Sequence, residues 1–210
     1  VQHEQNAVHI ADAYSRLTGI TGVAIGQNGP GISNMVTGVA TAYLTHAPVC
    51  VITPQSGSDS IGKLGFQELQ QLPMFSNITK YQVHVENPSR VSELTSLAFN
   101  RAQSENGPTQ LNYSRNILNH VGDYNVAGPS RRSKIVPDHD TVSDMVDLLL
   151  NAEKPVLIAG YGLKESSEVQ KLAERLDIPV ATTYLHNDCY PKSNKHPVGP
   201  LGSMGSQAAM

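Results

Sequence analysis

Cysteine, net charge and long apolar runs are all scarce in this sequence of 210 residues. The two cysteines, Cys50 and Cys189, stand far apart and match neither a CxxC pair nor a Cys/His ligand spacing, which argues against a zinc site and a disulfide framework. The formal net charge is only −3, so no basic excess favours nucleic acid or anionic lipid. No apolar run approaches the roughly 20 residues that a membrane helix needs. We therefore expect a soluble, cytoplasmic protein without nucleic-acid or membrane partners and without a metal site of its own.

Apolar runs of strand length alternate with segments of helical periodicity along the chain. This alternation predicts an α/β fold built on parallel sheets. In the first part of the chain, strands are predicted at 22–25, 48–53, 80–85 and 108–113. Helices are predicted there at 32–45, 69–75 and 88–104. The run at 48–53 is continuously apolar, as expected for a strand that is buried on both faces of a parallel sheet.

A stretch without sustained periodicity divides the chain. It is rich in Gly, Pro and Ser and contains the basic pair Arg131-Arg132, so we predict a linker at 116–138 between domains at 1–115 and 139–210. The second domain is predicted to hold helices at 141–151 and 166–176 and only two strands, at 155–159 and 178–182. A candidate functional residue, Glu4, lies almost at the start, and 205–210 reads as the first turn of a helix. Both domains are therefore expected to be incomplete parts of a longer protein.

The most informative motif is the turn between the first predicted strand and the helix that follows it. It reads Gln27-Asn28-Gly29-Pro30-Gly31-Ile32-Ser33-Asn34. Because Gly has no Cβ and Pro fixes its own φ, such a turn can bring bare backbone close to a flat ligand. Taken alone, it is more often an ordinary tight turn. Two further blocks accompany it: Glu4 before a helix-like stretch, and Gly65-Phe66-Gln67-Glu68 after a Gly- and Ser-rich loop.

The order of these blocks resembles the pyrimidine-binding domain of thiamine-diphosphate enzymes of the acetolactate synthase group. The lone Glu4 comes first, the QNGPG block with Asn34 follows, and the GFQE block comes last. The resemblance implies that Glu4 is the catalytic carboxyl group, which hydrogen-bonds a nitrogen of the cofactor's aminopyrimidine and favours its imino tautomer; this needs a partly buried acid. It also implies that Gln27, Pro30, Asn34 and Gln67 surround the pyrimidine and the reaction centre. Without the neighbouring blocks, a Glu near a helix start is a solvated or capping residue.

The resemblance also implies partners outside this chain. Thiamine diphosphate is the expected cofactor, and Mg²⁺ with the diphosphate would be bound by a further domain carrying a GDG-type block, which this sequence does not contain. In that group the two halves of the active site come from different subunits, so a second copy is expected to complete it. The domain at 139–210 would be the start of a Rossmann-like central domain. Its Gly160-Tyr161-Gly162 turn lacks the third Gly and the distal acid of a dinucleotide fingerprint, so FAD is not expected.

Several blocks depart from the acetolactate synthase pattern. Asn28 stands where those enzymes usually carry Ser, and Gly65 stands where they carry Ala. With Thr53-Pro54-Gln55, Leu185-His186-Asn187-Asp188 and a closing block at 196–210, these features resemble the sulfoacetaldehyde acetyltransferases. That resemblance implies conversion of sulfoacetaldehyde and phosphate into acetyl phosphate and sulfite, in the degradation of taurine and other sulfonates.

The sequence leaves two alternatives open. One is an acetolactate synthase or a related enzyme that uses pyruvate; the other is a non-catalytic protein that has retained the fold. The ligands of the sulfonate and phosphate groups are also open, because both anions favour Arg, Lys, His or helix N-terminal amides. His186 and His196 are candidates, although a lone His is more often a packing or loop residue.

Overall fold

The computed structural model describes residues 1–126, 136–163 and 166–209. Contacts divide the chain into two units, Val1–Arg132 and Ser133–Met210. The central part of the predicted linker, including Arg131-Arg132, and the last residue of the closing block, Met210, lie outside the described residues. The predicted domain boundaries remain a prediction. Within the described ranges, none of the helices has the length and hydropathy needed to cross a bilayer.

The first unit is built on a four-stranded parallel sheet with strand order β1-β2-β4-β3. Its strands are β1 (Gly22–Ile25), β2 (Val49–Gln55), β3 (Tyr81–Val85) and β4 (Thr109–Ser114). Its helices are α1 (Glu4–Thr18), α2 (Pro30–Asn34), α3 (Val36–Leu44), α4 (Val91–Glu105) and α5 (Arg115–Leu118). The predicted α/β fold with parallel sheets is confirmed.

The first sheet has an apolar core on each face. On one face, the buried Val8 of α1 and Val39 of α3 belong to a cluster with Val51 of β2. On the other face, Leu94 of α4 packs in a cluster with Leu111 of β4. Each fully buried aliphatic side chain contributes about 1.5–3 kcal/mol. Because the strands are parallel, their carboxyl ends share one edge of the sheet, and the turn after β1 lies at that edge.

Polar side chains on β2, β3 and β4 also form a chain of hydrogen bonds across the sheet, here called the amide ladder. Gln110 Nε2 donates to Thr53 Oγ1 over 3.0 Å, and Thr53 Oγ1 donates to Asn112 Oδ1 over 2.9 Å. Gln82 Nε2 donates to Gln110 Oε1 over 2.7 Å, and Asn112 Nδ2 donates to Gln55 Oε1 over 2.5 Å. Thr53, Gln110 and Asn112 are almost fully buried, so their pairing with one another satisfies polar groups that water cannot reach.

Two predicted helices of the first unit differ from the structure. The helix predicted at 32–45 is divided at Met35 into α2 and α3. The helix predicted at 69–75 is wrong, because only a short 3-10 turn, Pro73–Phe75, forms there. Pro73 has no N–H to donate, so an α-helix through it would lose a hydrogen bond. The helix predicted at 88–104 agrees with a 3-10 turn, Pro88–Arg90, that leads into α4.

The second unit contains a three-stranded parallel sheet with strand order β5-β6-β7. Its elements are α6 (His139–Asn151), β5 (Leu157–Ala159), α7 (Ser166–Leu176), β6 (Val180–Thr182) and β7 (Pro197–Pro200). The prediction of only two strands is therefore wrong. The missed β7 contains two prolines and a glycine, a composition that argues against a central strand but is tolerated at the sheet edge that β7 occupies among the described residues.

Candidate functional site

The turn after β1 requires glycine at Gly29 and leaves little space for a side chain at Gly31. Gly29 has φ 73° and ψ −117°, a conformation that side chains avoid. A Cβ on Gly29 would lie 2.4 Å from the backbone oxygen of Gln67, and a Cβ on Gly31 would lie 3.0 Å from Glu4 Oε1. The turn therefore brings bare backbone against the two other blocks that the sequence singled out.

Glu4 lies in the first turn of α1, where the helix dipole favours a carboxylate. Its side chain is half-buried, and Asn34 Nδ2 donates a hydrogen bond to its Oε2 over 3.1 Å. This bond from Asn34, together with the backbone amide of Glu4, lowers the pKa of the Glu4 carboxyl group below its ordinary value. The acid is thus held in a fixed orientation at the glycine turn and is ionised near neutral pH.

Gln27 and Gln67 form a second pair across the same turn. Gln27 Nε2 donates to Gln67 Oε1 over 3.0 Å. Gln67 adopts the left-handed conformation with φ 56°, which is uncommon for a residue with a side chain. This conformation places the Gln67 backbone against Gly29, so the shape of the 56–68 loop determines where the amide pair lies.

Glu68 anchors the loop that carries Gln67. Its carboxylate accepts hydrogen bonds from the Gly62 amide over 2.5 Å and from the Gly65 amide over 2.9 Å. These backbone donors lower the pKa of Glu68 below its ordinary value. In the sequence, Glu68 stands out only as the last residue of the GFQE block, and this anchoring role was not predicted. An acid that follows a Gly-rich loop was the available signal.

The structure brings all five predicted site residues to one place. Glu4–Asn34 and Gln27–Gln67 are the two hydrogen-bonded pairs, and Pro30 is the first residue of α2 between them. The pairs meet at Gly31, whose added Cβ would lie 3.0 Å from Glu4 Oε1 and 3.2 Å from Gln27 Cβ. Gln27, Pro30 and Asn34 are exposed, so the site opens to solvent on one side.

The groups at this turn fit a flat heteroaromatic ring. Asn28 Oδ1 is buried and has no hydrogen-bond partner among the described residues, although its Nδ2 donates to the Phe66 backbone oxygen over 3.3 Å. Phe66 and Leu64 are 83% and 95% exposed and add apolar surface nearby in the chain. A cradle of bare backbone, one carboxylate, amides and exposed apolar side chains can hold a ring that carries both donors and acceptors.

The histidines considered as anion ligands lie in the second unit and are paired with carboxylates. His186 Nδ1 lies 3.1 Å from Asp188 Oδ1, and His196 Nε2 lies 2.9 Å from Asp177 Oδ1, which also binds Lys195. Carboxylate neighbours weaken the attraction of these rings for an anion. Across the described residues, no cluster of three or more His, Cys, Asp and Glu side chains could hold a metal ion.

Packing explains the Gly160 turn of the second unit. Gly160 follows β5, and a Cβ there would lie 2.9 Å from Thr183 Cγ2. The glycine is thus required by the close approach of the segment after β6. Its presence needs no bound nucleotide as an explanation.

Family models match both units. Residues 1–74 match the thiamine pyrophosphate enzyme N-terminal TPP binding domain, and residues 142–210 match the thiamine pyrophosphate enzyme central domain. All five predicted site residues lie within the first match. The chain belongs to the thiamine pyrophosphate enzymes, and the resemblance identified in the sequence is confirmed.

Within this family, the chain is similar to two named groups of enzymes. It is 49% identical to a sulfoacetaldehyde acetyltransferase of Alcaligenes xylosoxydans xylosoxydans over 100% of its own length and 35% of the relative. The corresponding protein of Castellaniella defragrans is 46% identical over 100% of the chain and 36% of the relative. A probable acetolactate synthase large subunit of Methanocaldococcus jannaschii is 32% identical over 99% of the chain and 37% of the relative. The chain thus spans about a third of the length of these curated relatives.

Proposed function

We propose that this chain forms the pyrimidine-binding half of the active site of a thiamine-diphosphate-dependent acyltransferase. The enzyme would convert sulfoacetaldehyde and phosphate into acetyl phosphate and sulfite. The observation that carries the proposal is the contact of Glu4 with the glycine turn, because this contact assembles two hydrogen-bonded pairs around bare backbone. The higher identity to sulfoacetaldehyde acetyltransferases than to acetolactate synthases supports the choice of substrate.

Each residue of the site has a distinct proposed role. The Glu4 carboxyl group would hydrogen-bond a ring nitrogen of the aminopyrimidine, with Asn34 holding its second oxygen. Gly29 and Gly31 let the Gln67 backbone and the Glu4 carboxylate pack directly against the turn, which would bring these groups to the ring. The Gln27–Gln67 pair would bound the reaction centre with two amides that can donate to or accept from the substrate.

The reaction itself balances without an external oxidant. Thiamine diphosphate, when bound, supplies a nucleophilic carbon and an electron sink for the carbonyl group. The carbon–sulfur bond of sulfoacetaldehyde breaks and sulfite leaves with the electron pair. The aldehyde carbon is thereby oxidised to the acyl level while its neighbour is reduced to a methyl group, and phosphate accepts the acetyl group. Glu4 supports the tautomer that makes this chemistry possible, and the Gln27–Gln67 pair orients the substrate.

One side of the candidate site is exposed to solvent, and a partner would cover it. Gln27, Pro30 and Asn34 are exposed, although a cofactor ring must be shielded from water during the reaction. We propose that a second copy of the enzyme covers this side and that a further region binds the diphosphate through Mg²⁺. The enzyme would act in the cytoplasm. Sedimentation of the active, complete enzyme as a monomer would contradict the partner.

Product analysis of the complete enzyme tests the proposed reaction. We expect that sulfoacetaldehyde with phosphate yields sulfite and acetyl phosphate in equal amounts, and that the rate depends on added thiamine diphosphate. The 32% identity to a probable acetolactate synthase favours a pyruvate-using enzyme as the second candidate. Release of carbon dioxide from pyruvate, with no sulfite from sulfoacetaldehyde, would establish that second candidate instead.

A further inference from the structure

A buried glutamine connects the glycine turn to the ends of two strands. Gln71 is only 1% exposed and lies before the 3-10 turn Pro73–Phe75. Its Oε1 accepts a hydrogen bond from the Gly29 amide over 3.4 Å, and its Nε2 donates to the Pro54 backbone oxygen over 2.8 Å. Nε2 also lies 3.5 Å from Asn112 Oδ1. One side chain therefore joins the turn after β1 to β2 and β4.

These contacts use both the donor group, Nε2, and the acceptor group, Oε1, of the Gln71 side chain. The Gly29 amide is a donor and requires an acceptor, whereas the Pro54 carbonyl and Asn112 Oδ1 are acceptors and require a donor. Methionine fills a similar volume but has neither a strong donor nor a strong acceptor. Glutamate would place a carboxylate oxygen against the Pro54 carbonyl oxygen and Asn112 Oδ1. Because the Gln71 side chain is buried, each hydrogen bond left unmade there would leave a polar group without a partner, which destabilises the turn.

Gln71 also connects the amide ladder of the sheet to the candidate site. Asn112 Nδ2 donates to Gln55, and the Gln55 side chain in turn lies 2.9 Å from His84 Nε2. His84 Nε2 also lies 2.9 Å from Ser114 Oγ. The turn is thus attached to the hydrogen-bonded side chains of the sheet as well as to the loop that carries Gln67.

We propose that Gln71 is a positioning residue that holds the glycine turn at the distance from the strand ends that the cofactor ring requires. This inference rests on the proposed function, because it assumes that the turn binds thiamine diphosphate. Gln71 is not expected to touch the cofactor or the substrate. It acts through the Gly29 amide, whose residue contacts the backbone of Gln67.

A matched pair of buried glutamines tests the proposal. Gln110 is 0% exposed and also makes two side-chain hydrogen bonds on the same sheet, to Thr53 and from Gln82, but its bonds do not reach the turn. We compare Q71M with Q110M in the complete enzyme. Calorimetric titration of the cofactor-free protein with thiamine diphosphate and Mg²⁺ measures the dissociation constant, and thermal unfolding without cofactor measures stability.

We expect both variants to unfold at lower temperature, but only Q71M to bind the cofactor at least about tenfold more weakly. An equal weakening in both variants, or unchanged binding in Q71M, would overturn the proposal. If either methionine variant does not fold, Q71E and Q110E form a second pair with the same expected contrast. Wild-type enzyme that binds no thiamine diphosphate would instead refute the proposed function.

Discussion

At the scale of single residues, the candidate site depends on what is missing at Gly29 and Gly31 as much as on what Glu4 contributes. The absent side chains let the Gln67 backbone and the Glu4 carboxylate approach the turn to within contact distance. Composition does not reveal whether a glycine is needed for its φ angle or for the space it leaves. The structure separates the two reasons, because several glycines with positive φ have open space around them.

A pair of alanine variants tests this separation. Gly19 and Gly29 have φ of 71° and 73°, but a Cβ on Gly19 meets nothing within 4 Å, whereas one on Gly29 would lie 2.4 Å from Gln67 oxygen. We expect G19A to lower the free energy of unfolding by about 1–2 kcal/mol, the cost of the left-handed backbone. G29A should cost more, by an additional amount of about 1–3 kcal/mol, because the ψ of Gly29 is −117° and its Cβ would also meet Gln67, whereas Gly19 has the ordinary left-handed ψ of 5°. Urea unfolding measures both, and equal losses would mean that neither the ψ of Gly29 nor the contact with Gln67 is costly.

The carboxyl group of Glu4 is the second residue to test. We expect E4Q to lower turnover of the complete enzyme by about 100-fold or more, because an amide cannot hold and exchange the proton that the tautomer requires. The control is E105Q, since Glu105 pairs with Arg101 on the surface of α4 and such pairs contribute little. Sulfite release measures turnover. Near-normal turnover of E4Q would exclude a catalytic role for this acid.

At the scale of elements, the conformation of the loop between β2 and β3 could not be predicted from the sequence. The four strands of the first unit and the long helix α4 could be predicted, because hydrophobic periodicity and the short apolar runs reflect burial directly. The loop could not, because its shape depends on Glu68 binding the Gly62 and Gly65 amides and on the left-handed Gln67. Neither interaction has a periodic signal in the sequence. The same holds for Gln71, whose neighbours in space come from three separate segments.

Glu68 should make the order of this loop depend on pH. Its pKa is lowered in the folded protein by the hydrogen bonds from Gly62 and Gly65, so the stabilisation is present above the ordinary value of 4.5 and is lost as pH falls through the lowered value. We expect the hydrogen-exchange protection of these two amides to decrease over that range. In E68Q the protection should be lower at neutral pH and nearly independent of pH. The amide of Gly107, away from this loop and bonded to Ala102 oxygen, is the internal control.

At the scale of the whole molecule, the order of motifs was more informative than any single motif. Glu4, Gly29-Pro30-Gly31 and Gln67 are separated along the chain, yet the parallel sheet gathers them at the carboxyl edge of β1 and β2. The sequence therefore predicted five residues that the structure places together, although their hydrogen-bonded pairing could not be predicted, and their role at a cofactor stays a prediction. The second unit was predicted less completely, because β7 is short, rich in proline and paired on one side only among the described residues.

The amide ladder of the first sheet also specifies how β2 aligns with β4. Apolar strands tolerate a slip of two residues, since valine packs almost equally well against any aliphatic neighbour. Here, a two-residue slip between β2 and β4 would separate Thr53 from Asn112, its register partner, and would break the buried hydrogen bond between them. Each buried amide left without a hydrogen-bond partner would destabilise the misaligned sheet by about 1–3 kcal/mol. Misaligned pairings of β2 and β4 are thus disfavoured, and polar side chains specify the register of the sheet together with the apolar core.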